Sequence, residues 1–181
     1  TKANTVKFGD LQIAAFSDDI RDGIKGSVFD AAAGGFINGG TDYEETIKFG
    51  VVASTPNDQI DYSKVKNQTQ PWANQPYQTI SYASAHDNLT LWDKLQSTNP
   101  NDSEESLIQL NKMSAAIVYT SQGIPFMQAG EEMARTKVNP DGSLNENSYN
   151  APDSVNQIDW TRKVEYSDLY EYYKGLIQMR K

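Results

Sequence analysis

The chain has no cysteine at all and a single histidine, His86, among its 181 residues. Without thiols there is no disulfide framework, no thiolate nucleophile and no cysteine-based zinc site. That suits either a reducing cytosol or a secreted protein that manages without disulfides; it leaves the compartment open, with an extracellular or cell-surface place favoured over a cytoplasmic one. Positive charge is also scarce. The 16 Lys and Arg stand against 24 Asp and Glu, a formal charge of −8, so a polyanion is repelled over most of the surface and no nucleic-acid partner is expected. No run of about 18 apolar residues exists, which excludes a transmembrane segment. The opening "TKANTVKFGDLQ" lacks the apolar core of a signal peptide.

What is present is an ordinary globular mixture, 38% hydrophobic and 22% charged, about the length of one domain. The chain begins in a polar stretch and stops at "YEYYKGLIQMRK", where a helical pattern is still running. These ends read as a piece of something larger.

Along the chain, three units repeat the same order. The first has an apolar run, "LQIAAFS", a charged and Gly-containing loop, and "TDYEETIKFGVVAS", where Thr41 or Asp42 is placed to cap a helix with acidic residues in its first turn. The second has "YQTISYASA", with Ile80 and Tyr82 at alternating positions. A helix follows in "SEESLIQLNKMSAAIVYTSQG", with Leu107, Leu110, Ser114 and Val118 on one face and Gly123 as its stop. The third has "IPFMQAG", a long polar loop from Glu131 to about Tyr166, and a helix that Ser167 is placed to cap, with Leu169, Tyr173, Leu176 and Ile177 along one side. Strand and helix alternate, which predicts an α/β fold with parallel strands, either an open doubly wound sheet or part of a (β/α)8 barrel. In both, ligands sit beyond the C-terminal ends of the strands, where "SAHDN" falls.

Taken in order, "IAAFSDDIRDGIKGSVFD", "QTISYASAHDNLTLWDK", "GIPFMQAGEEMARTK" and "SYNAPDSVNQIDW" resemble the C-terminal part of the catalytic domain of type I pullulanases, debranching members of the α-amylase superfamily, glycoside hydrolase family 13. The resemblance spans about residues 8 to 181. It implies one domain, 1–181, as a C-terminal fragment of a partial (β/α)8 TIM barrel, about strands and helices six to eight. It also implies retaining hydrolysis of α-1,6-glucosidic bonds by two carboxyl groups, with a third carboxylate supporting the oxocarbenium-like transition state. Asp87 matches that third, catalytic Asp, and His86 matches a residue that hydrogen-bonds a substrate hydroxyl. Asn88, Tyr149, Asp153 and Asn156 are the further substrate-binding candidates. The family's nucleophile and acid/base lie on strands four and five and match no residue here, so the isolated chain is expected to be inactive. Its partners by resemblance are an α-glucan such as pullulan, starch or glycogen branches, and the remainder of its own barrel. The alternatives are another α-glucan-acting enzyme (isoamylase, glycogen-debranching enzyme or α-amylase) or a non-catalytic glucan-binding fragment.

Other features have a plainer reading beside the chemical one. Tyr149, Trp72 and Trp92 suit stacking on sugar faces, though Trp92 in an apolar frame is equally suited to packing. Phe126 and Met127 read as core of a buried strand, leaving Glu131 or Glu132 to face a cleft. Asp18, Asp19 and Asp22 resemble a cation site, but Arg21 among them favours ion pairing. "DGSLNEN" has oxygen ligands spaced like the start of a calcium loop yet lacks its glycine and distal Glu. Calcium is therefore a weak reading, and no cofactor is expected. Sequons at Asn67, Asn88 and Asn101 are short enough to arise by chance. Three strands of a barrel would leave two parallel edges and an unpartnered inner face, so the chain alone is expected to dimerise, swap or aggregate.

Overall fold

The computed structural model describes residues 11–181 together with Lys2 and Gly9. Phe8 and Asp10, at the start of the family-like stretch, lie outside the described residues. Strands and helices alternate as the sequence predicts, but "DDIRDGIK" and "LWDKLQST", read as loop, are helical, and two short helices interrupt the long loop expected from Glu131 to about Tyr166. Strand β1 (Ala15–Phe16) leads to helices α1 (Asp18–Lys25) and α2 (Glu44–Val51), and β2 (Thr79–Ser81) to α3 (Leu91–Thr98) and α4 (Glu104–Thr120). Strand β3 (Ile124–Pro125) is followed by the short α5 (Asp153–Asn156) and α6 (Arg162–Glu165) and by α7 (Ser167–Arg180). The sheet is parallel in the order β1-β2-β3, with Ala15 opposite Thr79 and Ile80 opposite Ile124. The strands are much shorter than their apolar runs. The ladder does extend a little, for Ser17 N donates to Ile80 O at 3.0 Å and Phe126 N to Ser81 O at 2.9 Å.

Local chemistry explains where three of the helices begin. Ser17 accepts from Ile20 N, Thr90 from Asp93 N and Ser103 from Ser106 N, each satisfying an otherwise orphaned amide of a first turn. Two expected caps are corrected. Helix α2 starts after Tyr43, which makes no side-chain capping bond, because Asp42 turns through the left-handed region at φ 60°. Ser167 is the first helical residue of α7 and does not cap it. Gly123 is displaced from its expected role as well. Ser121 ends α4, and Gly123, at φ 89°, makes the turn into β3, where a Cβ would come within 2.8 Å of Thr79 O.

The two faces of the sheet differ. On one, α1, α3, α4 and α7 bury a core that includes Ile20, Ile24, Leu91, Leu95, Val118 and Leu169. A second core under α2 gathers Phe49, Ile60, Val65 and Trp72. The other face carries an aromatic cluster in which Phe16 meets Tyr82 and Phe126 edge-to-face at 5.0 and 5.1 Å. Phe16 and Phe126 stay 43% and 37% exposed, so the expectation that Phe126 is core is corrected: β3 points it away from the helices. Met127, next along the chain, packs against the helical core as expected. Among the described residues no helix is long and apolar enough to cross a membrane.

Candidate functional site

Strand β2 runs into the buried residues Tyr82, Ala83 and Ser84 before the chain emerges at His86. His86 Nε2 lies 3.3 Å from Asp87 Oδ1, with the two side chains 85% and 75% exposed. Asn88 then takes a left-handed backbone at φ 62°, which Asn adopts more readily than most residues, and it redirects the chain towards Thr90 and α3. The result is an exposed corner just past the C-terminal end of β2. Asp87 and Asn88 line an open cleft of about 550 Å³ with Arg21, Val28, Phe29, Glu146 and Asn147.

Arg21 is fixed before any ligand arrives. Its guanidinium donates to Asp22 at 2.6 Å and to Tyr82 OH at 3.0 Å, and lies 3.1 Å from Asp18. Burial opposes its charge, but the Asp22 hydrogen bond and the surrounding carboxylates outweigh it and raise the pKa. Burial likewise pushes the Tyr82 hydroxyl up to about 12. Ion pairing is thus what the "DDIRD" stretch does. Among the described residues no group of three His, Cys, Asp or Glu side chains is arranged to hold a metal ion. In the "DGSLNEN" loop, Asp141 Oδ1 accepts from Ser143 N and Oγ, closing a tight turn.

The other candidates divide. Tyr149 is 80% exposed, and Asp153 is exposed as the first residue of α5. Asn156 donates through Nδ2 to Ser148 O at 2.7 Å and Ala151 O at 3.2 Å, so its amide closes the loop that carries Tyr149. None of these three is among the residues lining the Asp87 cleft. The stacking role considered for Trp72 and Trp92 is corrected: they are 3% and 4% exposed, Trp72 donating to Asp19 Oδ2 and Trp92 packing on the Tyr166 ring. The three most exposed aromatics of the family-like motifs are Tyr149, Phe29 and Trp160, of which the sequence reading found only the first.

Sequence reasoning also missed the buried charges that support the corner. Asp93 is fully buried; Oδ1 accepts from Thr136 Oγ1 at 2.5 Å and Oδ2 from Lys137 N at 2.9 Å. Lys137 Nζ in turn donates to His86 O at 3.1 Å and Ser148 Oγ at 2.6 Å. Lys94, next to Asp93, donates to Ser27 O, Asp30 O and Ala31 O. Burial raises the Asp93 pKa and lowers those of Lys94 and Lys137, with the hydrogen bonds to Asp93 and the carboxylates near the lysines opposing it. The signal available in the sequence was a charge pair inside an apolar frame, "LTLWDKL".

Glu131, expected as a residue that could face the cleft, points inward and is corrected. It is 6% exposed; Ser84 Oγ donates to its Oε2 at 2.6 Å, and its Oε1 lies 3.0 Å from Tyr173 OH. Burial, only partly offset by these hydrogen bonds and Lys25, raises its pKa to about 7. Tyr173 OH is also 2.8 Å from Asn111 Oδ1. Its one proton serves one of the two acceptors, and a protonated Glu131 donating to Tyr173 satisfies both contacts.

With this geometry in view, the relatives are informative. No protein-family model matches the chain. It is 32% identical over 169 residues to the pullulanase of Bacillus subtilis strain 168, a match covering 93% of this chain and 22% of that protein. The structure of the pullulanase from Paenibacillus barengoltzii, complexed with maltohexaose and alpha-cyclodextrin, superposes with a TM-score of 0.84 at 38% identity, over 99% of this chain and 26% of that one. The type I pullulanase of Bacillus subtilis strain 168, complexed with maltose, gives a TM-score of 0.86 at 31% identity, over 99% of this chain and 23% of that one. The chain therefore spans about a quarter or less of the length of these relatives. Sequence and fold agree, and both are consistent with a pullulanase-type domain.

Proposed function

We propose that this chain forms the sector around strands six to eight of the catalytic (β/α)8 barrel of an α-glucan debranching glycosidase, with Asp87 as its transition-state-stabilising carboxylate. The observation that carries the reading is the corner His86–Asp87–Asn88, just past a parallel strand, with His86 and Asp87 exposed and Asp87 and Asn88 lining an open cleft. The maltohexaose and maltose complexes of the pullulanases it matches support an α-glucan as ligand.

The chemistry follows from position. As a glycosidic bond breaks, positive charge grows on the anomeric carbon and ring oxygen. A carboxylate bonded to hydroxyls beside that carbon binds the charged, flattened ring more strongly than the ground state, which lowers the barrier. His86, 3.3 Å from Asp87, is placed to donate to a neighbouring hydroxyl. Arg21, already occupied by Asp18, Asp22 and Tyr82, lines the cleft as a fixed positive group. Retaining hydrolysis needs a nucleophile and an acid about 5–5.5 Å apart. No match to that pair occurs in this sequence, so in this reading the pair comes from chain outside these residues and the 181 residues alone do not cleave. The open aromatic face of Phe16, Tyr82 and Phe126 fits the same reading, as the side on which further strands would pack.

The test is pullulan hydrolysis by a full-length pullulanase-type enzyme carrying this segment, by its Asp87→Asn variant and by the 181-residue chain. The expected result is a loss of about 10²–10³ in kcat for the variant with KM little changed, and no turnover by the chain. Turnover by the chain alone, or a variant with full kcat, would sink the assignment.

A further inference from the structure

We infer that the adjacent buried pair Asp93 and Lys94, in the first turn of α3, are positioning residues that hold the two walls of the Asp87 cleft in register. The inference rests on the catalytic reading of Asp87 and deepens it.

Helix α3 begins four residues after Asp87, and its first turn carries two opposite charges with almost no exposure, Asp93 at 0% and Lys94 at 2%. They make no ion pair with each other; each reaches a different loop. Lys94 Nζ directs hydrogen bonds at three backbone carbonyls, Ser27 O at 3.1 Å, Asp30 O at 2.5 Å and Ala31 O at 3.2 Å. An ammonium has three donors, so these acceptors match its full capacity. The residues inside that bracket are Val28 and Phe29, which line the cleft opposite Asp87, Phe29 being 88% exposed. The loop closes locally on itself, with Phe29 N donating to Ser27 Oγ and Ala32 N to Asp30 Oδ1, and the buried ammonium anchors that closed turn to α3.

Asp93 works on the other wall. Both of its oxygens are used, one by Thr136 Oγ1 and one by Lys137 N. That fixes the backbone at Lys137, whose side chain bridges His86 O, in the corner itself, to Ser148 Oγ, next to Glu146 and Asn147 of the cleft lining. The path from Asp93 to the corner thus runs through Lys137 and returns to the residue before Asp87. One helical turn is tied to the loop after α1 and to the loop after β3, while the residues just upstream of it bear the carboxylate. A displacement of either wall by about 1 Å is enough to cost roughly 10²-fold in rate when it misplaces a reacting group.

The test uses a full-length pullulanase-type enzyme with four variants: Lys94→Met, Asp93→Leu, Asp93→Asn and Thr136→Val. Pullulan kinetics are corrected for folded fraction, and amide hydrogen exchange is followed at residues 27–31, 136–148 and, as a reference, 104–120. Lys94→Met is expected to lower kcat/KM by about tenfold or more and to speed exchange at 27–31 with α4 unchanged. Asp93→Leu should do the same at 136–148. Asp93→Asn, whose amide can still accept from Lys137 N and meet the Thr136 hydroxyl, should recover most of the rate. Thr136→Val leaves the buried charges intact, so it reads the same contact even where the larger changes prevent folding; faster exchange at Lys137 with reduced kcat/KM is the expected result. Normal kcat/KM and unchanged exchange in the folded Lys94→Met and Asp93→Leu enzymes, or in Thr136→Val where those do not fold, would overturn the inference. An Asp87→Asn enzyme with full activity would instead overturn the catalytic reading, whatever the exchange data show.

Discussion

Single residues decide how this corner behaves. Asn88 sits at φ 62°, a conformation open to Gly and Asn but strained for a β-branched side chain. Asn88→Val is therefore expected to destabilise by about 1–2 kcal/mol, and Asn88→Gly to be nearly neutral; urea denaturation of the domain separates them. Glu131 yields a pH prediction. Its pKa rises from 4.5 unfolded to about 7 folded, so between those values the unfolded state has released a proton that the folded state still holds. Stability is fully present below pH 4.5 and declines as pH rises through about 7, by on the order of 3 kcal/mol. Glu131→Gln should flatten that slope, since a neutral amide keeps the shape without titrating. Equal slopes in parent and variant over this window would show that Glu131 ionises normally.

At the level of elements, caps and close approaches set the limits of the helices. Ser103 accepts from Ser106 N at 3.2 Å at the start of α4, the longest helix described. Ser103→Ala should cost about 1 kcal/mol, visible as a fall in the midpoint of thermal unfolding and, under the proposed function, without loss of pullulan cleavage by a full-length enzyme carrying this segment. Gly26 is a stricter case. It closes α1 at φ 87°, and a Cβ there would stand 2.1 Å from Ala33 O. Gly26→Ala must part Gly26 from the Ala33–Gly34 backbone, at the two ends of the segment that holds the 27–31 loop bracketed by Lys94, so in a full-length enzyme carrying this segment pullulan cleavage, corrected for folded fraction, is expected to fall in kcat/KM. An unchanged kcat/KM would mean that the loop absorbs the added methyl group elsewhere.

For the molecule as a whole, the open sheet face dominates. Phe16, Phe126, Ile13 and Ile124 are 43%, 37%, 52% and 44% exposed, and β1 and β3 each pair on one side only among the described residues. Apolar patches and unpaired parallel edges of this kind favour association. In solution the 181-residue chain is expected to run larger than 20.2 kDa by light scattering, and Phe16→Asp with Phe126→Lys should shift it towards monomer. A monodisperse monomer of the parent chain would show that the face is covered some other way.

The sequence by itself determined what depends on near neighbours and on written motifs. Alternating apolar runs and helical faces set the order of strands and helices. Ser17, Thr90 and Ser103 began their helices because a cap is a contact over about three residues. The string "HDNLTLWDK", with its companions, was specific enough to point to the pullulanases that the chain is similar to. Only the tertiary structure decided which side of each element met a partner. Trp72 and Trp92 went inside while Phe29 and Trp160 stayed out, and Phe126 turned from core to open face. In sequence a charge is normally a solvated one, and nothing local marks Asp93, Lys94, Lys137 or Glu131 as exceptions. They are buried because acceptors or donors from distant segments, carbonyls 27–31 for Lys94 and the amide of Lys137 for Asp93, replace the water they lose. No local pattern records such partners, because contacts between residues tens of positions apart exist only once the chain has closed on itself.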